Sequence, residues 1–429
     1  MTAEIAIMNK LGVALAADSA VTVQTKTGQK IYNTVNKLFT LSKYEPVGIM
    51  IFGNADLMRV PWEALIKLYR TKLGPQKFQT VRDYATNFLR FLERNRLTFT
   101  APEQKKHFCR TVEQYFETIV ADINDRVRQT LAKKSPISNA DIVKIVTDEI
   151  GNQYRVWKRE KRLRLPSKQE SLIRRRYRAE LAEIKKRVFK KLPMSRAISL
   201  QLSQIAAWLF TKARLRSDSS GIVFAGFGTR ETFPSLYALR VEGLLLGKLK
   251  YIEHNSAKID FDNEAAIIPF AQSEMVATFI EGVDPFYQGI LEAYLKRLFD
   301  DYPNVIDKML KLPKSTRKRI LARIRKESRT VLADFVKDLR AYRGQKHVSR
   351  ILDAVRILPK DELAAMAESL VNLTSFKRRV TMDAETVRGP IDVAVISKGD
   401  GFVWIKRKHY FTKELNPHFV ANYYRDEKS

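Results

Sequence analysis

The stretch that most constrains the fold is the first forty residues of the chain. Two short apolar runs, residues 5–8 and 13–17, flank a turn at residues 9–12. Short apolar runs on either side of a turn are typical of paired, buried strands. The sequence therefore predicts an N-terminal hairpin inside a sheet, with Asp18 at the end of its second strand.

The residue at the start of this hairpin is Thr2. Removal of Met1, which is usual when a small residue follows, would leave one residue with both a hydroxyl nucleophile and a free amine. An N-terminal amine is a recognised activating base for a threonine hydroxyl. Met-Thr is also an ordinary way for a protein to begin, so the prediction for Thr2 depends on the residues that follow.

The order of these later residues resembles that of proteasome-type β-subunits and of the related subunits of bacterial peptidase rings. That family has an N-terminal threonine, an apolar hairpin ending in Ala/Gly-Asp, a threonine in the next strand, a lysine opening another strand, and Gly-x-Ala. The matching residues are Thr2, Ala17-Asp18, Thr22, Lys37 and Gly53-Asn54-Ala55. The resemblance covers about half of the chain, in residues 2–72, 219–300 and 359–411.

This resemblance implies an α+β fold, the four-layer αββα sandwich of the N-terminal-nucleophile hydrolases, and a threonine-type peptidase. Thr2 would be the nucleophile, and Lys37 would disfavour a second positive charge on its amine. Asp18 would orient Lys37 and keep it charged. The alternative interpretations stay open, because Asp18 could simply cap the turn and Lys37 could lie at a solvated strand end.

Backbone groups complete the site that the resemblance implies. Gly53 would donate its N–H to the oxyanion, and Thr22 and Ala55 would pair with an extended substrate. Residues 54–72 carry apolar side chains at helical spacing directly after Gly53, so its N–H would lie at a helix N-terminus. Thr22 and Ala55 are equally compatible with ordinary strand and helix-start positions.

Two later segments depart from the family pattern. The family's Asp-x-x-Ser-Gly-Gly corresponds to residues 385–390, where Glu385 replaces the aspartate and Arg388 replaces the serine. The family's Gly-Ser-Gly corresponds to a segment in which Ser273 is followed by Glu274. A second cation beside the terminal amine would disturb the site, so these differences bear on activity rather than on fold.

Two basic helical insertions interrupt the matching parts of the chain. The net charge of the 429 residues is +30, and residues 155–196 alone hold 17 lysines and arginines against 4 acids. Ser167 and Glu170 have capping-box spacing, which predicts a helix that ends near Leu192. The predicted division is core at 1–72, helical insertion at 73–217, core at 218–300, second helical insertion at 301–358 and core at 359–429.

The basic helices support a second hypothesis. The densest runs are Arg174, Arg175, Arg176, Lys185, Lys186 and Arg187. Such runs could follow a phosphate backbone, although basic helices are often solvated faces or partners for an acidic subunit surface. The alternative function is therefore a catalytically inactive or regulated proteasome-like scaffold that binds nucleic acid or another polyanion.

Composition limits the remaining possibilities. Hydrophobic residues at 45% and aromatic residues at 10% indicate a globular protein, and no apolar run reaches the roughly 20 residues of a membrane span. The single Cys109 excludes an intramolecular disulfide, and its spacing from His107 puts the two on different helix faces. We expect a cytoplasmic protein without a signal peptide, cofactor or metal. It would act on peptide or protein substrates, and the family resemblance implies a homo-oligomer.

Overall fold

The structure is a computed structural model that describes residues 3–25, 28–32, 34–133, 136–309, 313–381, 389–409, 411–418 and 421. The chain is a mixed α+β protein with antiparallel sheets, as the sequence predicts. The strands, in chain order, are β1 (Ala3–Asn9), β2 (Gly12–Ala17), β3 (Val21–Thr25), β4 (Gly28–Tyr32), β5 (Leu38–Thr40), β6 (Val47–Gly53), β7 (Asp56–Leu57), β8 (Val60–Pro61), β9 (Ser220–Gly226), β10 (Ser235–Leu245), β11 (Lys248–Lys258), β12 (Ala265–Ala271), β13 (Asp392–Ser397) and β14 (Gly401–Lys406).

Long helices fill the two predicted insertions and flank the sheets. In chain order they are α1 (Trp62–Leu73), α2 (Val81–Arg94), α3 (Ala101–Lys133), α4 (Asn139–Arg159), α5 (Gln169–Arg176), α6 (Arg178–Val188), α7 (Arg196–Thr211), α8 (Glu274–Glu281), α9 (Pro285–Met309), α10 (Lys314–Arg343), α11 (Ser349–Ile357) and α12 (Lys360–Val380). Within the described ranges, none of the helices is both long and apolar enough to cross a lipid bilayer.

Two five-stranded antiparallel sheets carry the core. The first has the order β12–β1–β2–β13–β14, and the second has the order β11–β10–β9–β6–β5. Side chains alternate along β1, so that Ala6 and Met8 face the second sheet while Ile5 and Ile7 face helices. Because both faces of β1 and β2 are buried, these strands have nearly continuous apolar sequences.

Three apolar clusters hold the layers together. One lies between the sheets and includes Leu15 of β2 and Val223 of β9. A second joins the first sheet to α8, α11 and α12, and a third joins the second sheet to α1 and α2. The two sheets therefore lie face to face, with helices packed on the outer face of each.

The helix α2 packs on the second sheet, although the predicted boundary at residue 73 assigns it to the first insertion. A capping box of Thr80 and Asp83 starts this helix, and the ring of Phe88 meets that of Phe224 with centroids 5.6 Å apart. The insertion has an apolar cluster of its own, built mainly from α3 to α7. As a packed unit it therefore begins with α3.

The single helix predicted between Ser167 and Leu192 is two helices, because tertiary contacts override the local pattern. Lys168 precedes α5 without a side-chain cap, and the Glu170 carboxylate instead accepts a hydrogen bond from Trp208 of α7 at 3.2 Å. The helix is interrupted at Tyr177, between α5 and α6. The ring of Tyr177 stacks on that of Phe108 in α3, with centroids 4.3 Å apart.

A buried lysine joins the first insertion to the second sheet. Lys250 of β11 donates to the carbonyls of Leu209 and Arg214 at 2.5 and 2.7 Å, and to the carboxylate of Glu242 at 2.9 Å. Burial lowers the pKa of Lys250, and the charge of Glu242 opposes this shift. The end of α7 is therefore tied to β10 and β11 by one ammonium group.

His107 of α3 is buried at the same junction. It is 6% exposed, and a Cβ at Gly243 of β10 would lie 2.2 Å from its Nε2 atom, so the strand needs a glycine there. Its Nδ1 atom has no hydrogen-bond partner in the part of the chain that the structure describes. Burial, aided by the charges of Arg110 and Arg216, lowers the pKa of His107 to about 3.

We expect Phe88→Ala to lower the free energy of unfolding by about 3–5 kcal/mol, because it opens a cavity between α2 and the second sheet. Leu97→Ala is the control: Leu97 is 94% exposed in the segment after α2, and its loss should change stability by less than about 0.5 kcal/mol. Urea unfolding of both variants measures the difference. Equal stability of the two would contradict the packing of α2 on the sheet.

We expect acidification from about pH 7 to pH 5 to destabilise the wild-type protein by about 2 kcal/mol more than His107→Leu. The folded state keeps His107 neutral down to about pH 3, whereas the unfolded chain binds a proton near its ordinary value. The unfolded state therefore holds more protons in this window, so stability present above the unfolded pKa is lost as the pH falls.

Urea unfolding at the two pH values measures this loss. His347→Leu, which removes an exposed histidine, serves as the control and should keep the pH dependence of the wild type. An identical pH dependence in wild type and His107→Leu would show that the buried ring does not contribute.

Candidate active site

Asp18 lies directly after β2, opposite the first described residue of β1. Its Oδ1 atom accepts the Ala3 N–H at 3.0 Å, its Oδ2 atom accepts the Ala20 N–H at 3.1 Å, and its own N–H donates to the Ala3 carbonyl at 3.1 Å. The register that pairs Glu4 with Ala17 dictates this arrangement. Asp18 is therefore buried and fixed against the start of the chain.

Lys37 reaches this carboxylate from the other sheet. It precedes β5, where its carbonyl accepts the Ile51 N–H at 2.8 Å, and its Nζ atom donates to Asp18 Oδ1 at 2.6 Å. Lys37 is only 3% exposed, so it does not lie at a solvated strand end. Asp18 was expected either to cap its turn or to bind Lys37. It does both, because its two carboxylate oxygens accept hydrogen bonds from the turn and from the lysine.

The sequence analysis did not single out Glu4, which completes this charged group. Its Oε1 atom lies 3.2 Å from Lys37 Nζ, and its side chain is fully buried on β1. A lone carboxylate in an otherwise apolar strand was the available signal, since such a charge is buried only with a partner. Lys37 therefore lies between two buried carboxylates.

A second buried pair lies beside the first. Asp392, which opposes Ala17 in the sheet, forms an ion pair with Lys408 and accepts the Lys408 N–H at 2.8 Å. Burial lowers the pKa of Lys408; Asp392 opposes the shift and the charge of Lys37 adds to it. Asp392 and Lys408 also line a cavity of about 360 Å³ that extends past Asn36, so the charged group borders open space.

Gly53 ends β6 with a φ of 77°, a left-handed conformation that favours glycine. A Cβ here would lie 2.9 Å from the Ser219 carbonyl oxygen, which also requires glycine. The predicted helix, however, does not start at residue 54. It starts at Trp62, so the N–H of Gly53 does not belong to a helix N-terminus.

A small turn explains this correction. The strands β7 and β8 pair around Met58 and Arg59, which both have positive φ, and Asp56 Oδ1 accepts the Arg59 N–H at 3.0 Å. Pro61 then precedes the helix. The apolar side chains have helical spacing across this segment, but the backbone does not become helical until the turn is complete.

The two predicted substrate-binding residues lie on different structures. The carbonyl of Ala55 accepts the Trp62 N–H at 3.1 Å, so it is already occupied. Thr22 pairs with Ile31 in the separate two-stranded sheet of β3 and β4. One edge of β3 is therefore covered by β4.

Ser273 is exposed and immediately precedes α8, with no side-chain capping hydrogen bond. It follows Ala271, which pairs with Ala3, so its segment lies beside the start of β1. The neighbouring Glu274 forms an ion pair with Arg378 of α12. That contact neutralises the acid that departs from the family pattern.

Three predicted residues, Thr2, Glu385 and Arg388, lie outside the described residues. The described chain still approaches both segments. Ala3 is bonded directly to residue 2, and the Ser19 hydroxyl donates to the Pro390 carbonyl.

The basic residues predicted to bind polyanions have different environments. Lys185 donates to the Ser199 and Ser203 hydroxyls at 2.7 and 3.0 Å, and burial lowers its pKa. Arg187 forms an ion pair with Glu113 at 2.6 Å. These two side chains thus hold α6 against its neighbours. The exposed members of the runs are Arg174, Arg175, Arg176, Lys186 and Arg187, and only Lys185 is partly buried.

Neither a protein-family model nor a curated protein matches the sequence. Among solved structures, the chain is similar to the Anbu (Gly-1) mutant from Hyphomicrobium sp. strain MC1. The two are 10% identical over 100% of each chain, with a TM-score of 0.27. A score this low carries no argument about fold or function, so any assignment depends on the residues themselves.

We expect Lys37→Met to lower the free energy of unfolding by about 3–5 kcal/mol, because it leaves two buried carboxylates without their cation. Lys67→Met is the control, since Lys67 pairs with Glu63 at an exposed surface and its loss should cost less than about 1 kcal/mol. The double variant Glu4→Gln/Lys37→Met should recover part of the loss. Urea unfolding that gives the same stability for both single variants would contradict a buried charged group at this position.

Proposed function

We propose that the chain is a threonine-type amide-bond hydrolase, most simply a peptidase, with Thr2 as its nucleophile. The observation that carries this proposal is the double role of Asp18 Oδ1. It accepts the N–H of Ala3 at 3.0 Å and the ammonium of Lys37 at 2.6 Å. The ammonium thus lies within two hydrogen-bond lengths of the nitrogen that is bonded to residue 2.

The architecture supports the same proposal. Two antiparallel sheets lie face to face with helices on their outer faces, and β1 and β2 occupy the middle of one sheet. We therefore propose the αββα sandwich of the N-terminal-nucleophile hydrolases as the fold of the core, with the helical segments as insertions. In such a core the start of β1 is the position of the nucleophile.

In the proposed reaction the Thr2 hydroxyl oxygen attacks the substrate carbonyl, and its proton passes to the free Thr2 amine. Lys37 disfavours protonation of that amine in the resting site. Gly53 donates its N–H to the oxyanion without help from a helix N-terminus. The C–N bond breaks as the amine returns the proton to the leaving nitrogen, and water then cleaves the threonine ester. None of these steps needs a metal or cofactor.

We also propose self-association, because α9 exposes a row of large apolar side chains that includes Leu298, Tyr302 and Met309. Extended exposed apolar patches commonly mark protein interfaces. The alternative function, a scaffold that binds nucleic acid through its basic helices, has less support, since the Lys185 ammonium is bonded within the insertion and Arg187 is paired with Glu113 at the surface.

The test is the intact mass of the purified protein before and after exposure to a peptide epoxyketone, a warhead that needs a hydroxyl and a free amine on one residue. We expect loss of Met1 and a single adduct that is absent in Thr2→Ala. Thr22→Ala is the matched control and should still be labelled. Lys37→Met should lose Met1 but label far more slowly.

Retention of Met1 in the purified protein would overturn the proposal. Loss of Met1 with equal labelling of wild type and Lys37→Met would leave Thr2 as the nucleophile. It would also show that the Lys37–Asp18 pair does not activate the Thr2 amine.

A further inference from the structure

A large cavity lies where the first insertion meets the second sheet. Its volume is about 1070 Å³, slightly above the roughly 300–1,000 Å³ that is typical of small-molecule sites. It is bounded by the end of α2, the start of α3, the turn between β10 and β11, and the break between α5 and α6. None of its lining residues belongs to the candidate active site.

The cavity wall is strongly cationic. The charged lining residues are Arg90, Arg94, Arg96, Lys105, Arg176, Lys248, Glu93 and Glu180. Each of the two acids is already paired with one of the lysines: Glu180 lies 2.6 Å from Lys105, and Glu93 lies 3.8 Å from Lys248. The charges that remain uncompensated are those of the four arginines.

Among the described residues, the guanidinium groups of these four arginines make no hydrogen bond and no ion pair; the arginines are Arg90, Arg94, Arg96 and Arg176. Like charges that converge on one concave space repel each other, and an anion in that space would relieve the repulsion. The guanidinium group is planar and suits bidentate binding of phosphate oxygens.

The elements that carry the arginines are held in place by other contacts. Gln104 of α3 accepts the Gly247 N–H at 3.2 Å and donates to the Phe99 carbonyl at 2.8 Å, which ties the start of α3 to the turn after β10. Arg176 lies next to Tyr177, whose ring is stacked on Phe108. These contacts hold the backbone around the cavity in place.

We propose that this cavity binds a compact small molecule that carries several phosphate groups, such as an inorganic polyphosphate or a nucleoside polyphosphate. Arginines from α2, from α5 and from the segment after α2 line one concave surface that is open to solvent. An extended nucleic acid would instead need a cationic groove that follows its backbone. The proposal does not depend on the hydrolase activity.

The test is isothermal titration of the full-length protein with inorganic tripolyphosphate, and with ATP in the absence of divalent metal. We expect 1:1 binding of tripolyphosphate that Arg94→Gln/Arg176→Gln weakens at least about tenfold, since two charge-assisted contacts are lost. Arg174→Gln/Arg175→Gln is the matched control. It removes the same charge from α5 at exposed positions outside the cavity and should weaken binding less than about twofold.

A second pair, Arg90→Gln/Arg96→Gln, keeps the test valid if the first variant is unstable, and it should weaken binding to a similar degree. Tighter binding of ATP than of tripolyphosphate would identify a nucleotide as the preferred source of the phosphates, and the reverse would identify the polyphosphate chain. Absence of 1:1 binding to both probes would overturn the proposal.

A single-stranded DNA oligonucleotide provides the remaining arm. The oligonucleotide affinity is measured for wild type and for Arg174→Gln/Arg175→Gln. If that variant loses at least about tenfold in oligonucleotide affinity, the exposed basic surface of α5 binds nucleic acid. That result, together with equal loss of tripolyphosphate binding in both double variants, would also overturn the proposal.

Discussion

The buried ion pair between Lys37 and Asp18 links the two sheets of the core. Its lysine precedes β5 on one sheet and its carboxylate follows β2 on the other, with Glu4 as a second acid at 3.2 Å. Burying a charge without a partner is costly in free energy. Lys37 and Asp18 can therefore both be buried only when the two sheets pack against each other. The same constraint fixes the start of β1, because Asp18 also holds the Ala3 N–H.

The rest of the candidate site is arranged around that ion pair by backbone geometry. Gly53 turns the chain at the end of β6, and the pairing of Ala3 with Ala271 brings the segment of Ser273 beside the start of β1. The Asp392–Lys408 pair adds buried charge at β13, the strand next to β2 in the first sheet. The first insertion packs mainly on β10 and β11 of the second sheet.

Periodicity predicts the hairpin and the apolar strands because it is local information, and the family resemblance implies that Asp18 and Lys37 meet. The apolar surroundings of Glu4 in the sequence indicate a buried partner, but they do not identify it, because Lys37 is distant in sequence and no family position corresponds to Glu4. The start of α1 was misplaced because apolar spacing continues through a turn whose positive φ values at Met58 and Arg59 leave no sequence signal. The interruption of the helix at Tyr177 could not be predicted either, because it accompanies stacking on Phe108, a contact between residues distant in sequence.

The order of strands in the first sheet has a consequence for synthesis. β1 and β2 leave the ribosome long before their other sheet neighbours, which are β12 at residues 265–271 and β13 at residues 392–397. A hairpin that is apolar on both faces must therefore wait, with unpaired edges, for nearly the whole chain, a condition that favours aggregation. The helices of the first insertion have their own apolar cluster and no such delay. The hairpin is thus made early relative to β12 and β13 but reaches its final environment only after both of them.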